Sequence, residues 1–192
     1  MAGPVAVRES ITVVTRSPRE TRRVAAALGR AVEPVPHGGL VVSLVGDLGA
    51  GKTVFAGGLL EGLGVPAGTA VTSPTFTFAK GYRGRVPVHH VDAYMVRGPA
   101  DLEASGFFEL GQDLGRNGGV IAVEWGDRIA GSLPADRLEV EVDVVEATAA
   151  SPSETRRIAI RALGPATAVI LARFGRELER GSPTGAGAEP SP

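Results

Sequence analysis

The chain has no cysteine, which excludes disulfides, thiolate metal sites and cysteine nucleophiles together. Lysine is nearly absent: Lys52 and Lys80 are the only two, so the positive charge is carried by arginine. No apolar stretch approaches the roughly 20 residues needed to cross a bilayer. No basic segment followed by a long apolar run opens the chain, so no secretory signal is visible, and the expected location is the cytoplasm, with no membrane partner. Charge of neither sign is in surplus: Lys and Arg total 20 against 21 Asp and Glu, a formal net charge of −1. Without a global positive field, direct affinity for RNA or DNA is not expected, although a local patch is compatible with the balance. There is no internal repeat. A hydrophobic fraction of 43% in 192 residues is enough for one domain with a real core.

What the chain does have is glycine in a particular place. Gly46, Asp47, Leu48, Gly49, Ala50, Gly51, Lys52 and Thr53 form the pattern G-x-x-x-x-G-K-[ST]. Such a match arises by chance on the order of once in a few hundred chains of this length. Its context is what makes it credible. The apolar run Leu40 to Val45 before it reads as a buried strand, and Val54-Phe55-Ala56 after it opens a helical pattern. Glycines let the backbone curl so that its N–H groups face an anion, and the following helix presents its positive end to the same anion. Lys52 can reach outer phosphates, and the Thr53 hydroxyl can hold Mg²⁺.

The rest of the chain reads as alternating strands and helices. Ser10 to Thr15 is β-branched and strand-like. Ser17-Pro18-Arg19-Glu20 is a capping box that starts a helix to about Val32, with Pro34 and Pro36 beyond it. Gly57 and Gly58 weaken the helix after the phosphate loop, which implies close packing against a neighbour. Val71 to Phe78 reads as a loop running into a strand, and Val86 to Asp92 as a short strand. Pro99 to Ser105 is expected to be a short helix, Phe107 to Leu114 an irregular apolar turn, and Val120 to Glu124 a buried strand. Arg137 to Val145 and Thr155 to Leu163 alternate and should pair antiparallel around a loop near residues 149–153. A last helix follows Gly164-Pro165 with Ile170, Leu171, Phe174 and Leu178 on one face. The expected fold class is α/β of the P-loop NTPase type: a mixed, mostly parallel sheet flanked by helices, with antiparallel strands towards the C-terminus. Residues 1–163 form the ATPase domain in this reading, 164–180 a helix packed on or extending it, and 181–192 a disordered tail.

Two carboxylates stand at the ends of expected parallel strands, Asp92 and Glu124. Strand C-termini open onto the crevice where ligands bind in such sheets. With Thr53 as a further oxygen donor, the pair fits a Mg-ATP hydrolysis site: Glu124 as a metal ligand, and Asp92 and Glu124 as catalytic carboxylates. Either acid could instead cap the turn after its strand. Glu124 reads as a charged strand end of little packing value. Thr75, in the hydroxyl-rich loop Thr72-Ser73-Pro74-Thr75, is a candidate sensor of the γ-phosphate or metal, against a plain turn. Trp125 reads as a core residue. His89 and His90 alternate faces, so at most one points at the site, and neither has companions for a metal.

These residues together resemble the TsaE family, formerly YjeE, of ATPases needed for threonylcarbamoyladenosine modification of tRNA. The resemblance runs from about residue 11 to residue 146. It is carried by Gly46 to Thr53, then Ser73-Pro74-Thr75-Phe76, His90-Val91-Asp92-Ala93-Tyr94, Glu124-Trp125 and Leu133-Pro134. It implies that Lys52 and Thr53 bind ATP phosphates and Mg²⁺, that Thr75 belongs to a switch-like loop, that Asp92 is needed for hydrolysis and that Glu124 completes the metal site. It also implies a partner, the TsaB–TsaD pair, whose TsaD subunit transfers threonylcarbamoyl to adenosine 37, with tRNA met only through that complex. One departure stands out. The family usually has arginine after His-x-Asp-x-Tyr, whereas this chain has Met95, with Arg97 two residues on.

Other classes fit less well. A small-molecule kinase usually needs a lid with several arginines; Arg83 and Arg85 are available, but no dense cluster is visible. A GTPase switch needs an Asn/Thr-Lys-x-Asp signature, which two lysines at positions 52 and 80 do not supply. A nucleotide-binding scaffold without turnover remains an alternative. Lys52→Ala should weaken ATP binding about tenfold or more, because charge-assisted contacts to phosphate are worth about 1.5–3 kcal/mol. Titration calorimetry checks this, and unchanged affinity overturns the assignment of the loop.

Overall fold

A strand buried on both faces must be apolar throughout, and the run before the glycine loop satisfies this. In the computed structural model, which describes residues 10–32, 38–145 and 155–181, Leu40–Val45 (β2) lies at the centre of one seven-stranded sheet. The other strands are Ser10–Thr15 (β1), Ala79–Arg83 (β3), Pro87–Asp92 (β4), Val120–Glu124 (β5), Leu138–Val144 (β6) and Arg156–Ala162 (β7), in the order β1-β7-β6-β2-β5-β4-β3. The four central strands, β6, β2, β5 and β4, run parallel. Both edges are antiparallel: β6 with β7 and β7 with β1 on one side, β3 with β4 on the other. The antiparallel component is therefore not confined to the C-terminal strands.

Period-two alternation along the central strands sends side chains to two separate cores. Leu40, Val42 and Leu44 join Val120 and Ala122 on one face, while Val41, Ile121 and Val123 face the other. The first face is covered by helices Pro18–Ala31 (α1), Lys52–Gly62 (α2) and Pro165–Gly181 (α5). The second is covered by Pro99–Ala104 (α3), Phe107–Asn117 (α4) and a 3₁₀ stretch, Gly126–Ser132, interrupted at Ile129. The expectation of an irregular turn over Phe107 to Leu114 is thus wrong: that segment is the greater part of α4. Gly111 and Gly115 lower its helix propensity, but Phe107 and Leu114, seven residues apart, both bury against the sheet, and that packing outweighs propensity.

Ser17 caps α1 by accepting from the Glu20 N–H at 3.2 Å, as its sequence suggests. Further along, α1 meets α2 with almost no side-chain padding. A Cβ on Gly58 would lie 2.4 Å from the Arg22 carbonyl oxygen, and one on Gly62 would lie 2.2 Å from that of Ala26. The cost of glycine inside α2 is therefore tied to a backbone-to-backbone approach that any side chain would prevent. The helix α5 shares this core through buried Ile170, Leu171 and Phe174. The prolines expected to follow α1, the loop near residues 149–153 and the tail beyond residue 181 lie outside the described residues. No helix among the described residues is long and apolar enough to cross a membrane.

The start of α5 is capped from a distance. Asp136 accepts from the N–H groups of Ala166 at 2.8 Å and Thr167 at 3.1 Å, and from the Thr167 hydroxyl at 2.8 Å. Partial burial alone would raise the Asp136 pKa, but the Thr167 hydroxyl and the two N–H groups outweigh it and hold the carboxyl below its usual value. A depressed carboxylate pKa contributes stability that is present above the unfolded value of about 3.9 and is lost as pH falls through the folded value. Asp136→Ala should therefore cost about 1 kcal/mol at neutral pH, as for a lost helix cap, and progressively less below about pH 4. Thermal unfolding of parent and variant at pH 7 and pH 3 checks this; an equal gap at both pH values contradicts it.

Candidate functional site

The glycine loop joins the C-terminal end of β2 to α2. Gly46, Gly49 and Gly51 all have positive φ, at 141°, 79° and 110°. A Cβ on Gly49 or Gly51 would meet nothing within 4 Å, so both leave open space on the concave side of the turn. Within the loop the Ala50 N–H donates to the Asp47 carbonyl at 3.1 Å. Arg156, on β7, steadies it by donating from Nε to the Ala50 carbonyl at 2.7 Å. Asp47 and Leu48 are exposed at the tip. Helix α2 has no side-chain cap at Gly51 and no acidic residue in its first turn, so its positive end is left for an anion.

Lys52 turns back over this loop. Its ammonium donates to the carbonyls of Gly46 at 2.7 Å and Asp47 at 2.8 Å, and lies 3.5 Å from the centre of the Trp125 ring. Burial pushes the Lys52 pKa down, against the opposing pull of Glu124, Asp127, Asp92 and Asp47. A buried cation among carbonyls, an indole face and carboxylates is well suited to meeting a polyanion.

The two strand-end acids are neighbours. Asp92 and Glu124 are paired positions of the parallel strands β4 and β5, and each is only 3% exposed. Glu124 Oε2 accepts from the Thr53 hydroxyl at 2.9 Å. Its other oxygen, Oε1, lies 2.8 Å from Nε2 of fully buried His90, which therefore carries the hydrogen towards the carboxylate. Asp92 Oδ2 accepts from the Thr75 hydroxyl at 2.6 Å and from Ser73 Oγ, while Oδ1 accepts from the Tyr94 N–H at 2.8 Å. Lys52, Thr53, Thr75, Asp92, Glu124 and Trp125 thus all line one cleft of about 540 Å³. Every residue singled out for phosphate, metal or catalysis lies in the glycine loop or in this cleft.

Other expectations change. Trp125 is not a plain core residue: it is half-buried, lines the cleft, and packs on Tyr94 with ring centres 5.1 Å apart. It also sits in the left-handed region at φ 59°, as Phe78 does at φ 62° where the Thr75 loop enters β3. For bulky residues this is strained, by about 1–3 kcal/mol each; Trp125 lines the cleft, and the Phe78 carbonyl accepts from the Asp92 N–H at 2.9 Å. Of the arginines considered, Arg97 is exposed and uses its N–H on Asp101, and Arg85 braces the ends of α1 and α2 through the carbonyls of Gly29 and Gly62. An arginine not considered from the sequence, Arg128, stands against the cleft residues Tyr94 and Trp125: its guanidinium donates to the Tyr94 carbonyl at 2.6 Å and lies about 5 Å from both aromatic rings. Nothing in the motif spacing marks Arg128; Ser73 and His90 stand in the motifs that carry the resemblance, but only the fold shows that they bond Asp92 and Glu124.

A glycine loop between a central parallel strand and its helix, with acids ending the next two parallel strands on one side, β5 and β4, defines an α/β protein of the P-loop type. The model of the family described as threonylcarbamoyl adenosine biosynthesis protein TsaE matches residues 15–157. The chain is 40% identical over 133 residues to the tRNA threonylcarbamoyladenosine biosynthesis protein TsaE of Treponema pallidum, covering 69% of this chain and 90% of that one. It is 39% identical over 140 residues to the Streptomyces coelicolor protein of the same name, covering 71% and 89%. The crystal structure of Bacillus subtilis YdiB superimposes with a TM-score of 0.67 at 30% identity, over 87% of this chain and 95% of that one. The chain belongs to the TsaE family, which acts in tRNA threonylcarbamoyladenosine biosynthesis.

Glu124 is more than a charged strand end, because its removal would leave a half-buried hydroxyl and a fully buried imidazole without their partner. Glu124→Ala should therefore lower stability by about 1–3 kcal/mol. Glu124→Gln, whose amide oxygen can still accept one of the two bonds, should cost less. Denaturant unfolding distinguishes them; an alanine variant as stable as the parent contradicts the bridging role.

Proposed function

We propose that the chain binds ATP with Mg²⁺ on the loop Gly46 to Thr53 and hydrolyses it slowly, in the service of a cytoplasmic TsaB–TsaD complex that modifies adenosine 37 of tRNA. The observation that carries this reading is the convergence of Lys52, Thr53, Asp92 and Glu124 in one cleft at the C-terminal ends of parallel strands. The residues fit the ligand. The open side of Gly49 and Gly51 and the uncapped start of α2 suit a phosphate chain. The Thr53 hydroxyl and Glu124 carboxylate are adjacent hard oxygen donors, and Mg²⁺ typically takes one or two carboxylates together with phosphate oxygens and water.

Bound Mg-ATP would supply the phosphoanhydride and the metal charge that polarises it. Lys52 is the cation that would face the outer phosphates. His90 holds Glu124 in one orientation, so that the carboxylate is presented to Thr53 rather than free to rotate. Asp92 is assigned the role of orienting the attacking water, and its bonds to Ser73 and Thr75 couple that role to the loop before β3.

The support for a partner is family membership and the character of the rim. Leu48, which lines the cleft, is 79% exposed; Phe76, next to Thr75, is 98% exposed; and Met95 follows Tyr94 in the open. Apolar side chains gathered at the mouth of a site are characteristic of an interaction surface. A protein seated on Phe76 would also restrain Thr75.

The isolated chain should hydrolyse ATP slowly, and addition of TsaB–TsaD should raise the rate or alter the complex's output. Partner-supplied charge stabilisation changes rates by up to about 10³–10⁵ in related P-loop enzymes. Asp92→Asn should keep ATP binding and lose turnover. Steady-state phosphate release with and without the complex is the measurement. Fast turnover by the chain alone, or no nucleotide-dependent contact with TsaB–TsaD, overturns the proposal.

A further inference from the structure

The chain's charges nearly cancel, but they are not evenly spread. Arg19, Arg22, Arg23 and Arg30 line one depression along α1. Arg30 also borders a second cleft of about 170 Å³, whose other walls are Arg173, Arg176 and Arg180 of α5. Arg30 lines both depressions, so seven guanidiniums gather along α1 and α5 around it. Among the described residues two carboxylates border it. Glu61 pairs with Arg22, and Glu177 lies 3.6 Å from Arg30 and 2.7 Å from Arg180. Among the described residues Arg19, Arg23 and Arg176 make no hydrogen bond or ion pair and stand exposed. A net positive patch of this size, in a protein of net charge −1, is held in place by the docking of α5 on α1.

We propose that this face binds the phosphodiester backbone of a folded RNA. Three features select that occupant. The cations are all arginine, whose planar fork matches phosphate oxygens two at a time. From Arg19 to Arg30 the row is roughly 16 Å long at 1.5 Å per residue, enough to meet several successive phosphates. Among the described residues no aromatic side chain borders either depression to offer a platform for unstacked bases, and recognition falls to backbone and shape, as for helical RNA. All of α1 falls within the stretch matched by the family model, whereas α5 begins beyond it. The face lies across the sheet from α3 and α4. The inference draws on the family's place in tRNA modification and not on ATP turnover. It revises the expectation that RNA is met only through a protein complex.

The test uses the full chain, a folded unmodified tRNA transcript, and fluorescence anisotropy at 50 to 200 mM salt. Binding should be weak, with a Kd of about 10⁻⁴–10⁻⁶ M near physiological salt, and should weaken steeply as salt rises. In the triple variant Arg19→Gln, Arg23→Gln, Arg176→Gln, the slope of log K against log salt should fall by about 2–3, since each neutralised phosphate contributes about 0.7–0.9. These side chains have no structural partners, so the melting temperature and calorimetric ATP binding should not move. A control, Arg83→Gln with Arg116→Gln, away from this face, should leave the slope as in the parent. Poly-glutamate of matched charge should compete poorly. No RNA binding at 50 mM salt, an unchanged slope in the triple variant, or equal competition by poly-glutamate, as an acidic protein partner would give, each overturns the proposal. The anisotropy arm reads the RNA face whatever the calorimetry says of ATP, so failure of the nucleotide reading is seen separately.

Discussion

One carboxylate ties the site to the fold. Glu124 ends a central strand, is almost fully buried, and is held on one oxygen by Thr53 of α2 and on the other by His90 of β4. A carboxylate in such a place is tolerated only when its oxygens are satisfied, because the cost of removing it from water is several kcal/mol. The two partners therefore fix its direction. The same two bonds fix the relation of the glycine loop to the neighbouring strand, since Thr53 directly follows Lys52 and His90 lies two residues before Asp92. Loop, sheet edge and acid pair are one hydrogen-bonded unit.

Around that unit the chain accepts strain. Phe78 and Trp125 adopt backbone conformations that bulky residues avoid, Trp125 in the cleft wall and Phe78 bonded through its carbonyl to the Asp92 N–H. Trp125 gains from it a position between the Lys52 ammonium and the Arg128 guanidinium, with Tyr94 against its ring. Phe78 in turn shapes the exit of the loop that delivers Ser73 and Thr75 to Asp92. Such conformations persist where the surroundings over-determine them, and here the surroundings are the buried ends of β4 and β5.

The opposite demand, closeness without side chains, operates between α1 and α2. Gly58 and Gly62 let the two backbones touch, and Arg85 caps the arrangement by bonding carbonyls at the ends of both helices. This holds α1 against the helix that carries the glycine loop. It also leaves the outer side of α1 free to carry arginines, which α5 then extends. The cleft at the glycine loop and the basic face are thus joined through the packing of α2 on α1.

Much of this is written in neighbouring residues. The phosphate loop, the buried run before it, the capping box at Ser17, the strand-end acids Asp92 and Glu124 and the alternation of β6 and β7 are local patterns, because turn geometry, helix period and strand period are properties of short segments. Where locality failed, it failed for a reason. The segment from Phe107 carries glycines that argue against a helix, and only burial against Ile121 and Leu102 makes it one. Trp125 looked like core because a large apolar ring usually is, and its place over Lys52 follows from a left-handed turn that no residue type announces. His90 bonded to Glu124, Asp136 capping α5, Arg128 beside the cleft and the arginine row shared by α1 and α5 join residues some 30 or more positions apart. The sequence by itself determined the fold class, the position of the glycine loop and the identity of the strand-end acids. Which side chains meet those acids, and where the arginines gather, were decided by the tertiary structure, because contact between distant residues depends on how sheet faces and helices pack and not on the spacing of residues along the chain.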